Sequence, residues 1–97
     1  MAELKIHNDL TPAIAIPPGE TLRDELHARD ISQVALAQRL NRPQGTISQI
    51  ISGKKAITAE TAIQLESVFE GVSALFWLNL ESRYRLTLAR LAATATA

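Results

Sequence analysis

The sequence predicts an all-α fold of five short helices behind an extended N-terminal arm. Three observations predict it: from Gly19 onward apolar residues recur at three- and four-residue spacing, capping residues and glycines punctuate that pattern, and strand-like alternation survives only weakly in the arm. The chain has 97 residues, of which 46% are hydrophobic and 21% charged, and it contains no cysteine. A chain of this length forms one small domain, buries a modest fraction of its surface and gains from dimerisation. The absence of Cys excludes a disulfide framework, a thiolate metal site and a Cys nucleophile. No apolar run reaches the roughly 18 residues of a membrane span, and the first residues lack the basic-then-apolar order of a secretory signal. A soluble, cytoplasmic protein without a membrane partner is therefore expected.

Residues 1–18 hold Pro12, Pro17 and Pro18 and an irregular spacing of Leu4, Ile6, Leu10, Ile14 and Ile16, which reads as an extended arm. The helical domain then covers 19–91. Leu22 and Leu26 set the inner face of a first helix that ends near Arg29, with Glu20, Asp24 and Glu25 outside. Ser32 caps a second helix whose inner face is Leu36, Ala37 and Leu40, and Asn41 follows as a residue that tolerates the left-handed conformation. Pro43 fits the first turn of a third helix carrying Ile47, Ile50 and Ile51, with Gly53 as its stop. Thr58 caps a fourth helix through Ala62, Leu65, Val68 and Phe69, stopped by Gly71. Ser73 caps a fifth, 73–91, through Trp77, Leu80, Tyr84, Leu88 and Leu91, and the tail 92–97 is expected to fray.

Charge is distributed unevenly. Ten basic and ten acidic residues cancel, which argues against a protein that coats nucleic acid generally. Residues 31–59, however, contain Arg39, Arg42, Lys54 and Lys55 and neither Asp nor Glu. A carboxylate-free basic stretch is the footprint of a surface that approaches a polyanion. The same stretch meets the requirements of a helix-turn-helix at 33–52: small Ala37 where the helices cross, Asn41 in the turn, and branched Ile47 and Ile50 anchoring the second helix.

Over about residues 17–88 the sequence resembles the Cro/repressor-like (XRE) helix-turn-helix family, and within it the HigA antitoxin branch. PPGETLRDEL is similar to that family's Pro-Gly-Glu opening, SQVALAQRL and GTISQIISGKKAITAETAIQL to its central helices, and FWLNLESRY to its Trp-Leu-Asn-Leu segment. The last is the specific stretch, since generic repressors share only the earlier ones. The resemblance implies a lambda-repressor-like domain that binds double-stranded operator DNA as a homodimer. It also implies capture of a HigB-like toxin, a ribosome-dependent mRNA endonuclease, and repression of its own operon.

With Ile47, Ile50 and Ile51 inside, a helical wheel turns Gly45, Ser48, Gln49 and Ser52 outward, with Gln44 and Thr46 flanking them. Gln44, Gly45, Thr46, Ser48 and Gln49 are the candidate base contacts. Gln49 can pair bidentately with adenine, and Ser48 can contact several bases. Gln33, at the start of the second helix, matches the position at which family members hold a phosphate, and Arg42, Ser52, Lys54 and Lys55 are the further candidate phosphate contacts. Three residues depart from the family pattern: Gly45 stands where a side chain often points at bases, Arg42 replaces an apolar turn residue, and Pro43 displaces a Ser or Thr cap.

Tyr84, Leu88 and Leu91 are the expected dimer contact, because the stripe of the fifth helix is longer than a small five-helix core covers, with Arg83, Arg85 and Arg90 beside it. The arm either contributes to toxin capture or packs on its own bundle. His27, Asp30 and Ser32 lie close in sequence but span a helix end, His7 stands isolated in the arm and does not support them, and the four glycines form no phosphate loop. Neither an enzyme nor a metal or cofactor site is expected. Two other functions fit the same residues: a stand-alone XRE-type repressor without a toxin, and a toxin-binding module that has lost DNA binding.

Overall fold

Five helices build the chain in a computed structural model that describes residues 14–96: α1 (Pro18–Ala28), α2 (Gln33–Leu40), α3 (Gln44–Ile51), α4 (Ala59–Val68) and α5 (Ala74–Thr96). The described residues include no strand. Each helix begins where local chemistry dictates. Pro18 opens α1, where a missing N–H costs nothing. Ser32 Oγ accepts from the Ala35 N–H at 3.0 Å, Thr58 Oγ1 from the Thr61 N–H at 3.3 Å, and Ser73 Oγ from the Phe76 N–H at 3.1 Å. The start of α5 has a second acceptor that its own sequence does not supply: Glu66 Oε2, reaching from α4 to the Ala74 N–H at 2.9 Å.

The core lies where these helices converge. It comprises Leu22 and Leu26 of α1, Leu36, Ala37 and Leu40 of α2, Ile47, Ile50 and Ile51 of α3, and Ala62 and Leu65 of α4, with Ile57, Phe69 and Trp77. Helix α3 packs on α1 and α2, α4 on α2 and α5, and α5 returns to α1. Gly19 sets the α1–α3 approach: a Cβ there would overlap the carbonyl oxygens of Ile50 and Ile51. The aromatic rings of Phe69 and Phe76 flank buried Trp77 at centroid distances of 5.9 and 5.4 Å.

Three boundaries differ from expectation. Pro43 is the N-cap of α3, extended at φ −61°, ψ 145°, rather than a member of its first turn. Phe69 leaves α4 at ψ 92° with its ring buried in the core, and Gly71 completes the turn at φ +86°, a conformation that favours glycine. Helix α5 extends past residue 91 to Thr96, where Ala92, Ala93 and Ala95 favour helix and the Thr94 hydroxyl donates to the Arg90 carbonyl at 2.9 Å. Residues 14–17 precede α1 without regular structure, Pro17 being extended, and Ile14, Ile16 and Pro17 lie beside Leu80, Arg83, Tyr84 and Thr87 of α5. Leu4, Ile6, His7 and Leu10 fall outside the described residues. Among the described residues no helix is long and apolar enough to cross a membrane.

Candidate nucleic-acid interface

Helix α3 contributes no charge of its own and divides cleanly into two faces. Ile47, Ile50 and Ile51 are buried; Gln44, Gly45, Ser48, Gln49 and, just past the helix, Ser52 are exposed, with Thr46 half-buried between them. Four of the five expected base-reading residues therefore share one accessible surface, and Thr46 lies at its edge. Pro43 supplies no side-chain acceptor to the amino end of α3, so the first donors of the helix remain available to an outside acceptor beside Gln44 and Gly45. Nothing lies within 4 Å of where a Gly45 Cβ would stand, so the backbone at that position is open to close approach.

The turn from α2 to α3 is fixed by backbone conformation. Asn41 takes φ 55°, ψ 47°, the left-handed geometry its side chain tolerates, and the Arg42 N–H closes the helix end on the Ala37 carbonyl at 2.9 Å. Gln33 begins α2, half-buried next to the Ser32 cap, so that its amide and the helix amino terminus are presented together. Ser32 itself is committed to capping α2, and His27 and Asp30 are exposed on either side of the α1 end.

Lys54 and Lys55 extend the surface beyond α3. The carbonyl of Gln49 accepts the N–H groups of Lys54 and Lys55 at 2.9 and 3.1 Å and the Ser52 hydroxyl at 3.2 Å, which folds the loop back onto the end of α3 with both lysines exposed. Gly53 makes that reversal at φ +84°. Ser52 and the two lysines thus follow the Ser48–Gln49 face on its carboxyl side.

Arg42, an expected phosphate contact, is half-buried and already has partners within the chain. Its Nε donates to Gln64 Oε1 at 2.7 Å and its Nη2 lies 3.9 Å from Glu60 Oε1, while Gln64 Nε2 donates to the Leu40 carbonyl at 3.1 Å. Gln64 of α4 therefore ties the carboxyl end of α2 to the residue that opens the turn, and Arg42 serves that bracket. Sequence reasoning missed Gln64, as it missed Glu81 of α5, whose Oε1 accepts the Ile57 N–H at 2.9 Å. Both bonds join residues more than 20 positions apart, and no local pattern marks such partners.

Comparison with known proteins agrees with this geometry. A helix-turn-helix family model matches residues 21–77. Virulence-associated protein I of Dichelobacter nodosus is 41% identical over 76 residues, covering 77% of this chain and 69% of that one. The Escherichia coli protein YddM, described as an uncharacterized HTH-type transcriptional regulator, is 35% identical over 69 residues, covering 71% of this chain and 72% of its own. Among solved structures, antitoxin HigA of Pseudomonas aeruginosa with the higBA promoter superimposes with a TM-score of 0.77 at 42% identity, covering 86% of this chain and 90% of that one. An addiction module antidote protein of the HigA family from Coxiella burnetii gives 0.77 at 35% identity, covering 84% and 89%. With the family match spanning more than half of the chain and these neighbours aligned over most of their lengths, the chain belongs to the XRE-type helix-turn-helix family, in its HigA branch.

Proposed function

We propose that this protein is an antitoxin of a HigBA-like module: a dimer that binds operator DNA through α3, represses its own operon and neutralises an mRNA-cleaving toxin by direct binding. The carrying observation is the neutral, exposed Gln44–Gln49 face of α3 bordered by Lys54 and Lys55, within a stretch free of carboxylates. A face of this composition reads base edges while its border neutralises phosphates. In this reading Gln44, Gly45, Thr46, Ser48 and Gln49 meet the major groove, and Gln33, Ser52, Lys54 and Lys55 meet the backbone. The likeness to an antitoxin HigA solved with the higBA promoter supports DNA as the partner.

Dimerisation follows from α5. Its buried stripe of Trp77 and Glu81 continues through half-buried Tyr84 to Leu88 and Leu91, which are each 37% exposed on the same helix face. Tyr84 is largely used internally, against Pro17 and Gly53, so the proposed contact centres on Leu88 and Leu91 rather than on all three residues equally. A dimer that reads paired half-sites must place its two α3 helices about one helical turn, roughly 34 Å, apart.

The test combines two measurements. A salt-dependent gel shift on the DNA upstream of the gene is expected to show specific binding, and co-expression with the neighbouring gene is expected to yield a purifiable complex and relieve growth arrest. Binding without a complex would instead support a repressor that has no toxin, a reading favoured by the likeness to YddM. A complex without DNA binding would leave only a toxin-binding module.

A further inference from the structure

Glu81 is the one charged side chain among the buried described residues, 9% exposed, and both of its oxygens are occupied. Oε1 accepts the backbone N–H of Ile57 at 2.9 Å, and Oε2 accepts Nε of Arg85, one turn further along α5, at 2.5 Å. A carboxylate is costly to bury unless its hydrogen bonds are made, so this placement commits Glu81 to a single geometry. Its main-chain partner lies in the loop that carries Lys54 and Lys55. The other end of that loop also leans on α5: at Gly53 an added Cβ would stand 3.0 Å from the Pro17 ring and 3.4 Å from the Tyr84 hydroxyl. Residues 81 and 84 are neighbours on one helix face, so α5 supports the basic loop at both ends, at Gly53 through Tyr84 and at Ile57 through Glu81.

We propose that Glu81 is a positioning residue for DNA binding: through the Ile57 N–H it holds loop 53–57 in the conformation that presents Lys54 and Lys55 to phosphate, without touching DNA itself. The proposal rests on the DNA-binding reading of α3. An untethered loop keeps its two charges but must be ordered when DNA binds, and that ordering weakens the complex and lowers the number of phosphates neutralised. Because the tether starts on α5, the helix that carries the exposed Leu88 and Leu91 is also the support of the phosphate-binding loop.

The test uses the full chain and three variants: Glu81→Leu, which removes the acceptor; Glu81→Gln, which keeps an Oε1 for Ile57 and loses the charge; and Leu26→Ala, a buried core change on α1, outside the loop, as the stability control. Glu81→Leu is expected to speed amide exchange at Ile57 about tenfold relative to the core amides. It is also expected to weaken operator binding about tenfold and to make the salt slope shallower by about 1 to 2. Glu81→Gln should restore most of both, and Leu26→Ala should lower the melting temperature without moving the slope. Should Glu81→Leu not fold, Arg85→Met at a half-exposed position frees the second oxygen and should move loop exchange and slope in the same direction by less. Wild-type exchange at Ile57 in the Leu or Met variant, an unchanged slope, or an equal slope change in Leu26→Ala overturns the proposal. Failure of the wild-type chain to bind its upstream DNA overturns the DNA reading instead, and with it any role for Glu81 in binding.

Discussion

Gly19 and Gly45 both lie within the first turn of a helix, and their surroundings give them opposite roles. At Gly19 the backbone of α3 occupies the space a methyl would need, whereas at Gly45 that space is empty. Gly19→Ala is therefore expected to destabilise the fold by roughly 1–3 kcal/mol, since the obstructing atoms are main-chain carbonyls that cannot rotate away. Gly45→Ala should raise stability by up to about 1 kcal/mol through helix propensity. Thermal unfolding of the two variants checks the pair, and a loss at Gly45 as large as that at Gly19 would contradict it. On the same face, Gln49→Ala is expected to relax sequence preference, at about 1–3 kcal/mol of discrimination, while leaving non-specific binding nearly intact. Competition with mismatched sites measures this, and equal loss on all sequences would show that Gln49 reads no base.

At the scale of elements, α3 and the loop after it divide the work. The helix has no charged residue, so its affinity for DNA must come from its borders, and the basic side chains closest along the chain on the carboxyl side are Lys54 and Lys55. Replacing both lysines by Ala should weaken operator binding and make the salt slope shallower by about 1 to 2, the number of phosphates released. An unchanged slope would remove them from the interface. The elements themselves were legible in the sequence, because Ser32, Thr58 and Ser73 cap the helices they precede and the isoleucines of α3 keep a helical period. The bond of Arg42 to Gln64 was not legible for a physical reason: Gln64 lies on another helix, and an isolated Arg in a basic stretch carries no sign that it is already engaged.

For the whole molecule, the extent of α5 decides how two copies can meet. Its 23 residues span about 34 Å, and the part beyond Tyr84 extends the core stripe past the point where the bundle covers it. Leu88→Glu is therefore expected to give a folded monomer, because a half-exposed position tolerates the charge in the free chain but not across a contact. Operator affinity should fall with the mass, as one helix-turn-helix of this size makes few phosphate contacts. Light scattering decides it: a dimer mass in that variant would place the contact elsewhere.

The sequence by itself determined the five helices, the left-handed turn at Asn41, the buried face of α3 and hence the outward set Gln44 to Gln49, because periodicity, capping and backbone preference act between residues a few positions apart. It also carried the family likeness, through FWLNLESRY and the segments before it. Only the tertiary structure decided that Arg42 braces the turn through Gln64, that Gly19 sets the approach of α1 to α3, that Tyr84 packs on Pro17 and Gly53, and that Glu81 holds Ile57. Each of these depends on where a side chain or a main-chain group arrives after the helices have packed, and hydrogen-bond partners brought together across more than 20 residues leave no mark in local spacing.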